Sequence, residues 1–239
     1  MIIPNATEME AKAVDLKPPD AAGANYGFTQ HRDIIRLMRH GFRDEQIPIG
    51  ERLYALSPDK REMVAAFEID GHGLDFRDSR IRIWFGLVHG SSRRRAGRCY
   101  AGLTWDGYPA VLTRFACWRH RTSNDMMGKI RKAVANTAFA MTDYPNKLGE
   151  LLGRRLGPIE YQTLCVKAAD AGLIKWSRVG IMRRMKTRLE KRIIPGTALS
   201  AVLSFGLAME KAIWTNPRTD AMACQFKFYK SLLGSAVRG

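Results

Sequence analysis

The sequence contains little cysteine and no long apolar segment. Its 239 residues include four cysteines, none in a C-x-x-C pair, which argues against a zinc site and against a disulfide framework. The longest apolar run, residues 198–209, is too short to span a bilayer. The first residues contain Glu8 and Glu10 and lack the apolar block of a secretory peptide. These absences predict a cytoplasmic protein with no membrane partner.

Sequence motifs of catalysis are missing as well. There is no G-x-x-x-x-G-K-[ST] phosphate loop and no G-x-S-x-G elbow, and the five histidines form no metal-binding pair. His89, followed by Gly90 and Ser91, is predicted to be a turn residue. Glu68 and Asp70 share strand parity and are the best candidates for a Mg²⁺ site. We therefore predict no cofactor and no enzymatic activity, with a Mg²⁺-dependent nuclease as the last-ranked alternative.

Acidic residues are scarce relative to basic ones. The chain has 39 lysines and arginines against 23 aspartates and glutamates, which gives a formal net charge of +16. A positive excess of this size indicates an anionic partner, of which nucleic acid is the commonest. Because 46% of the residues are hydrophobic, the chain also has enough apolar surface to fold.

Turn residues and charge divide the chain into three predicted segments. Residues 1–28 contain several prolines and glycines, with four acidic and two basic side chains. We predict a flexible arm there, which either stays solvated or lies over a basic surface until a partner displaces it. An α+β nucleic-acid-binding core is predicted over residues 29–145, and a helical subdomain over residues 146–239.

The predicted core begins with a helix and continues with strands. Apolar residues recur at helical spacing over residues 30–40, and Gly41 is expected to end the helix. Beyond Pro48 the pattern alternates, and turn-forming clusters such as residues 70–73 separate the apolar runs. We predict a five-stranded antiparallel meander, with strands at residues 50–56, 62–70, 79–88, 98–105 and 110–118.

The second half of the chain has a helical pattern. A helix capped at Ser123 or Asn124 is predicted to run to about residue 141, where Asp143, Tyr144 and Pro145 end it. Further helices are predicted at residues 147–155, 159–171, 177–192, 197–214 and 219–233. A run of strands followed by a run of helices predicts an α+β fold, with the helical half packed on the sheet.

Arginines and aromatic residues share one side of the predicted strand 79–88. Its odd-numbered residues from Ile81 onward are apolar and form a core side, since successive side chains of a strand face opposite ways. The other side carries Arg82 and Trp84, and the next strand adds Arg98 and Tyr100. Because unpaired guanidinium groups are costly to bury, we expect this side to be open to water. Rings among guanidinium groups form a stacking platform for nucleic acid.

Further cations follow in the turn after this strand and beyond the last strand. Arginine holds phosphate oxygens with its planar fork and also stacks on bases. No helix-turn-helix, zinc-finger or aromatic RNP motif is present to read sequence. We predict sequence-independent binding through Arg80, Arg82, Trp84, Arg93, Arg94, Arg95, Arg98, Tyr100, Arg114, Arg119, Arg121, Lys129 and Lys132.

A second basic block covers residues 175–192. Four apolar residues between Val179 and Leu189 recur at spacings of three and four, which predicts a packed stripe on this helix. The opposite side carries Arg184, Arg188, Lys191 and Arg192. This side is either a solvated surface or a contact with ligand or a neighbouring subunit.

Residues 88–103, VHGSSRRRAGRCYAGL, resemble the central block of a family of phage- and plasmid-encoded proteins of unassigned function. That family carries S-H-D-G-S-S-A followed by R-x-x-C-x-N-G. His89-Gly90-Ser91-Ser92, Ala101-Gly102 and the spacing of Arg114 and Cys117 match, whereas the family's Asp after His and its Asn-Gly after Cys are absent. Residues 31–42 and 196–211 are similar to its opening and closing helices, so the resemblance covers residues 30–233.

The predicted plan, a helix, a β-meander and a long basic helix, is similar to that of the single-strand annealing proteins of phage recombination. Those proteins form rings or filaments and hold single-stranded DNA in a basic groove. The similarity implies a homo-oligomer that promotes annealing or recombination, or protects DNA in phage or plasmid replication. Single-stranded DNA is the favoured ligand and RNA the other candidate. The alternative function is a basic interaction protein, an inhibitor or assembly factor, that binds an acidic protein or a nucleoprotein.

Overall fold

The computed structural model describes residues 6–17, 29–76, 79–90, 97–105, 108–118, 126–191, 196–210 and 221–234. Helices precede and follow a five-stranded sheet, so the fold is α+β, as predicted. The strands are β1 (Ile49–Leu56), β2 (Glu62–Phe76), β3 (Ser79–Gly90), β4 (Gly97–Trp105) and β5 (Tyr108–Trp118). The helices are α1 (Glu8–Ala13), α2 (His31–Asp44), α3 (Met126–Gly153), α4 (Pro158–Asp170), α5 (Trp176–Glu190), α6 (Ala198–Glu210) and α7 (Ala221–Gly234).

The strands form one antiparallel sheet in the order β1-β2-β3-β4-β5, which confirms the predicted meander. The predicted turn at residues 70–73 is wrong, because β2 continues to Phe76. In its pairing with β3, Ile69 lies opposite Ile83, and the next paired residue of β2, Leu74, lies opposite Ile81. Four residues of β2 therefore bulge opposite one residue of β3, which accommodates two glycines inside the strand.

One face of the sheet, the first face, forms the main core with α2 and α3. Phe85 of β3 is fully buried there, as the alternation predicts. The ring of Phe42 in α2 lies 5.4 Å from the ring of Phe67 and 5.4 Å from that of Phe85. Burial of each aromatic side chain contributes about 2–3 kcal/mol, so these contacts hold α2 firmly against the sheet.

Helix α2 continues through Gly41, where we expected it to end. Gly41 is buried against α3, and Cγ2 of Val134 lies 3.4 Å from the position that a Cβ would take there. A glycine inside a helix costs about 1 kcal/mol. The buried side chains of Ile34, Ile35 and Phe42 offset that cost, because tertiary packing supplies most of a helix's stability.

Helix α3 also runs through its predicted end. Pro145 lies inside the helix and is exposed. A proline there removes one hydrogen bond and costs about 3 kcal/mol. Burial of Tyr144, Leu148 and Leu151 offsets this cost. The helix thus crosses residue 145, the predicted boundary between the core and the helical subdomain.

Residues 6–17 pack against the core, which makes the predicted flexible arm wrong over this stretch. Helix α1 begins with a capping box, in which the Thr7 hydroxyl accepts from the Glu10 backbone N–H and the Glu10 carboxylate accepts from that of Thr7. Ala6 bridges Tyr54 on the edge strand β1, and Ala11 is fully buried. The rest of the predicted arm lies outside the described residues.

Helix α6 is apolar on all sides and lies at the centre of the helical half. It contacts α3, α5, α7 and the edge strand β5, as expected for a helix without a polar side. Its serines are satisfied locally, since the Ser204 hydroxyl donates to the Ala201 carbonyl at 2.8 Å. Across the described ranges, no helix combines the length and apolar character needed to cross a membrane.

Candidate nucleic-acid interface

The opposite face of the sheet, the second face, carries Arg82, which is paired with acids. Its Nη1 lies 3.0 Å from Oε2 of Glu68 and 3.8 Å from Oε2 of Glu51. The arginine side chain is half exposed, so these pairs contribute at most about 1 kcal/mol. Glu68 was a predicted magnesium ligand. In the part of the chain that the structure describes, no group of three or more His, Cys, Asp or Glu side chains is placed to hold a metal ion.

Trp84 and Tyr100 do not form the predicted open platform. They are 8% and 0% exposed, because α7 covers this part of the second face with Met222 and Phe226. No base can stack on either ring while α7 is in place. The expectation of an open face was wrong because strand alternation shows which residues share a face and says nothing of what covers it.

The described cations of the predicted set differ in exposure. Arg98 and Lys129 are half-buried, whereas Arg114 and Lys132 are exposed. The Arg114 guanidinium lies 5.7 Å from the centre of the Phe226 ring, a cation–π distance. A nucleic-acid role for these four residues stays a prediction. Apart from Arg82, the other predicted cations lie outside the described part of the structure. For Arg80 this applies to the side chain, and for the rest to the whole residue: Arg93, Arg94, Arg95, Arg119 and Arg121.

Helix α2 presents a row of arginines that the sequence analysis missed. Arg32, Arg36, Arg39 and Arg43 are exposed and follow a spacing of three or four residues, so they lie within about 60° of the helix circumference. They stand opposite the residues that α2 buries in the core. The spacing of these arginines in the sequence was enough to predict that they share one side of the helix. We call these four residues the α2 row.

The α2 row lines a cleft of about 510 Å³ between α1, α2 and β1, which we call the α2 cleft. Six of the nine lining residues are cations. The lining residues are Lys12, Arg32, Arg36, Arg39, His40, Arg43, Ile47, Ile49 and Arg52. Cations gathered around a concave surface raise the local concentration of anions, and guanidinium forks match phosphate oxygens.

Among the residues that the structure describes, two carboxylates pair with the cations of the α2 cleft. Glu8 Oε1 lies 2.9 Å from Nη1 of Arg39, and Arg43 Nε lies 3.9 Å from a carboxylate oxygen of Asp44. In the described ranges, no carboxylate lies within ion-pair distance of Arg32 or Arg36. As far as the described part of the chain goes, these two guanidinium groups are therefore available to an external anion.

Glu8 is held more tightly than a surface carboxylate. Besides Arg39, its carboxylate accepts from Lys12, from the Tyr54 hydroxyl at 3.0 Å and from Arg52 at 3.4 Å. Partial burial raises the pKa of Glu8, but the hydrogen bonds from Lys12 and Tyr54 and the nearby cationic charges outweigh it and lower the pKa to about 2. The acid of α1 thus occupies one end of the cleft as a bound anion does.

A buried histidine pair fixes the start of α2. His89 lies in β3 and is fully buried, so its predicted place in a turn is wrong. Its Nδ1 lies 2.8 Å from Nδ1 of His31, whose Nε2 lies 3.0 Å from the Lys60 carbonyl oxygen. Because a carbonyl only accepts, His31 donates through Nε2 and accepts at Nδ1 from His89. Burial lowers the pKa of His31, although the Lys60 carbonyl raises it in part. This hydrogen-bonded pair ties α2 to β3 and thereby orients the α2 row.

Comparison of the chain with protein-family models, with curated proteins and with solved structures finds no match. The resemblances to phage-encoded families therefore stay predictions.

Proposed function

We propose that the protein binds nucleic acid through its phosphate backbone, without reading base sequence, and that the α2 cleft is the primary contact. The observation that supports the proposal is the charge of this cleft: six cations line it, and among the described residues two carboxylates, those of Glu8 and Asp44, pair with some of them. Backbone neutralisation of this kind is independent of sequence, since every nucleotide carries the same phosphate.

The length of the α2 row suits a polymer. Arg43 lies eleven positions after Arg32, which is an axial distance of about 16.5 Å at 1.5 Å per residue. In B-DNA one strand advances about 3.4 Å per phosphate, so the row spans several consecutive phosphates. A single small anion would use only part of the row.

The test is the salt dependence of binding to a labelled 20-mer of thymidine, dT20, measured by fluorescence anisotropy. Affinity should fall linearly with salt on logarithmic axes, by about 0.7 per phosphate contact. The double variant Arg32→Ala/Arg36→Ala removes two cations that have no carboxylate partner among the described residues, and it should reduce this slope by up to about 1.4. A wild-type slope near zero, or an unchanged slope in the variant, contradicts the proposal.

A matched control is Lys227→Ala/Lys230→Ala. It removes the same charge from one exposed helix side, on α7, far from the α2 cleft in sequence. Its slope should equal that of the wild type. If both double variants lose the same slope, the binding reflects the net charge of the protein and not the cleft.

An acidic protein segment is the second candidate ligand, because the anion that the cleft holds is a carboxylate, that of Glu8. Purification with and without nuclease separates the two candidates. A high ratio of absorbance at 260 nm to that at 280 nm that falls after nuclease supports nucleic acid. An unchanged low ratio, together with displacement of dT20 by polyglutamate at equal charge, favours the acidic protein.

The finer parts of the proposal are strand annealing or DNA protection, assembly into a ring or filament, and a place in phage or plasmid replication. They are motivated by the sequence resemblance alone. Electron microscopy with and without dT20 tests the assembly, and the absence of any ring or filament in both samples removes it from the proposal.

A further inference from the structure

The outward side of α5 combines cations with an exposed indole. Trp176, the first residue of the helix, is 56% exposed. Arg183, Arg184, Arg188 and Lys191 are exposed as well. At about 100° per residue these five positions share an arc of about 140°. We call this surface the α5 face.

The basic residues that hold α5 to the protein lie elsewhere on the helix. Arg178 donates to the Ala208 carbonyl of α6 at 2.8 Å, and the ammonium group of the buried Lys186 lies 4.7 Å from the centre of the Tyr161 ring of α4. In contrast, no carboxylate of the described residues lies within ion-pair distance of a cation on the α5 face. In the described part of the chain, the charges of this face are therefore not used in ion pairs.

Gly180 leaves a gap within the α5 face. It lies one turn from both Trp176 and Arg184, and a guanidinium nitrogen of Arg184 is 4.0 Å from the position that a Cβ would take. A glycine inside a helix costs about 0.5–1 kcal/mol, and among the described residues no other element packs into its place. No side chain at this position separates the indole from the guanidinium group.

We propose that the α5 face is a second nucleic-acid contact, in which unpaired bases stack on Trp176 while the arginines hold the flanking phosphates. The inference rests on the proposed function for its class of ligand. An indole accepts the face of any base, so the site adds affinity without sequence preference. Bases inside a duplex are already stacked, and the site therefore favours single strands.

Two probes separate stacking from charge: dT20, and a 20-mer that carries the same phosphates on abasic sugars. Trp176→Ala should weaken dT20 binding about fivefold or more, whereas Trp176→Phe keeps most of the affinity. Both variants should bind the abasic 20-mer as the wild type does. Gly180→Leu fills the gap with a strong helix former, so it should weaken dT20 binding while raising the melting temperature.

The outcomes are distinct. Equal dT20 affinity in the wild type and in Trp176→Ala overturns the inference. The proposed role of the α2 cleft is unaffected by that result, because the salt slope tests it separately. An equal loss on dT20 and on the abasic 20-mer also overturns it, because the indole would then act without bases. If the wild type binds neither probe, the proposed function fails and the inference fails with it.

Discussion

The second face of the sheet and the α2 cleft contain the same residue type, arginine, in different surroundings. On the second face, Arg82 meets Glu68, and Trp84 beside it is covered by α7. In the cleft, Arg32 and Arg36 are exposed and have no carboxylate partner among the described residues. A sheet face can be covered by an element distant in sequence, whereas the side of a helix opposite its buried stripe stays in water. The difference distinguishes an arginine that is already paired with acids from arginines that are available to a ligand.

Among substitutions that test this comparison, the largest loss of stability is expected at Gly102, which lies under the indole of Trp84 on the second face. A Cβ there would lie 1.9 Å from the Ala110 carbonyl oxygen and 3.1 Å from the indole of Trp84. The carbonyl belongs to the paired strand β5, so it cannot move without breaking the β4–β5 pairing. Gly102→Ala should abolish folding or destabilise the protein by more than about 4 kcal/mol, measured by soluble yield and thermal denaturation.

Gly180→Ala is the matched control for that substitution. It has room for a Cβ and should raise the unfolding free energy by about 0.5–1 kcal/mol. Wild-type stability in Gly102→Ala would mean that the second face is more loosely packed than its burial indicates.

The next largest effect distinguishes a packed indole from an exposed one. Trp84→Ala removes a side chain that is 8% exposed and should cost about 3–5 kcal/mol. For a chain of this size the melting temperature should fall by about 10 °C. Trp176→Ala, at 56% exposure, should change stability by less than about 0.5 kcal/mol. Similar melting temperatures in the two variants would contradict the assignment of Trp84 to the core.

Local sequence pattern predicted most of the fold. Alternation located all five strands, and the apolar stripe of α5 matches the burial of Met182 and Leu189. Gly41 and Pro145 were misread as helix ends, because their local costs are offset by burial against other elements. Such burial depends on tertiary contacts that a local pattern does not contain.

The candidate site was harder to predict, for two different reasons. Burial of Trp84 depends on Met222, which lies more than a hundred residues later in the chain and which no local rule connects to β3. The α2 row, in contrast, was visible in the sequence, since the spacing from Arg32 to Arg43 follows the helical repeat. The prediction favoured residues 80–121 instead, because arginines are denser there.

A direct comparison of the two arginine environments uses single substitutions. Arg36→Gln should lower dT20 affinity severalfold at low salt, because it removes from the α2 cleft a cation that pairs with no carboxylate of the described ranges. Arg82→Gln makes the same change in charge on the second face and should leave the affinity nearly unchanged, since Arg82 is already paired with Glu68. Both affinities are measured by the anisotropy titration used for the salt slope. If the two variants lose the same dT20 affinity, Arg82 is part of the interface as well.

The smallest effect concerns Glu8. Its carboxylate pairs with cations at one end of the α2 cleft, as Glu68 pairs with Arg82 on the second face. Glu8→Gln removes a negative charge from beside Lys12, Arg39 and Arg52, so dT20 affinity should rise about two- to fivefold. Glu10→Gln is the control: within the described ranges the Glu10 carboxylate accepts only from Thr7 in the helix cap, so this variant should leave the affinity unchanged. A fall in affinity in Glu8→Gln would show that Glu8 positions the cations for ligand and does not compete with it.

The pH dependence of stability tests the same contact without ligand. The pKa of Glu8 is lowered from its ordinary value of 4.5 to about 2 in the folded protein. A carboxyl group with a lowered pKa stabilises the fold fully above its unfolded value and loses that contribution as the pH falls towards the folded one. Between about pH 5 and pH 2.5 the melting temperature of the wild type should therefore fall more steeply than that of Glu8→Gln. Parallel curves would show that the contacts of Glu8 with Lys12, Tyr54 and Arg39 contribute little to the fold, and this end of the cleft would then also be available to an external anion.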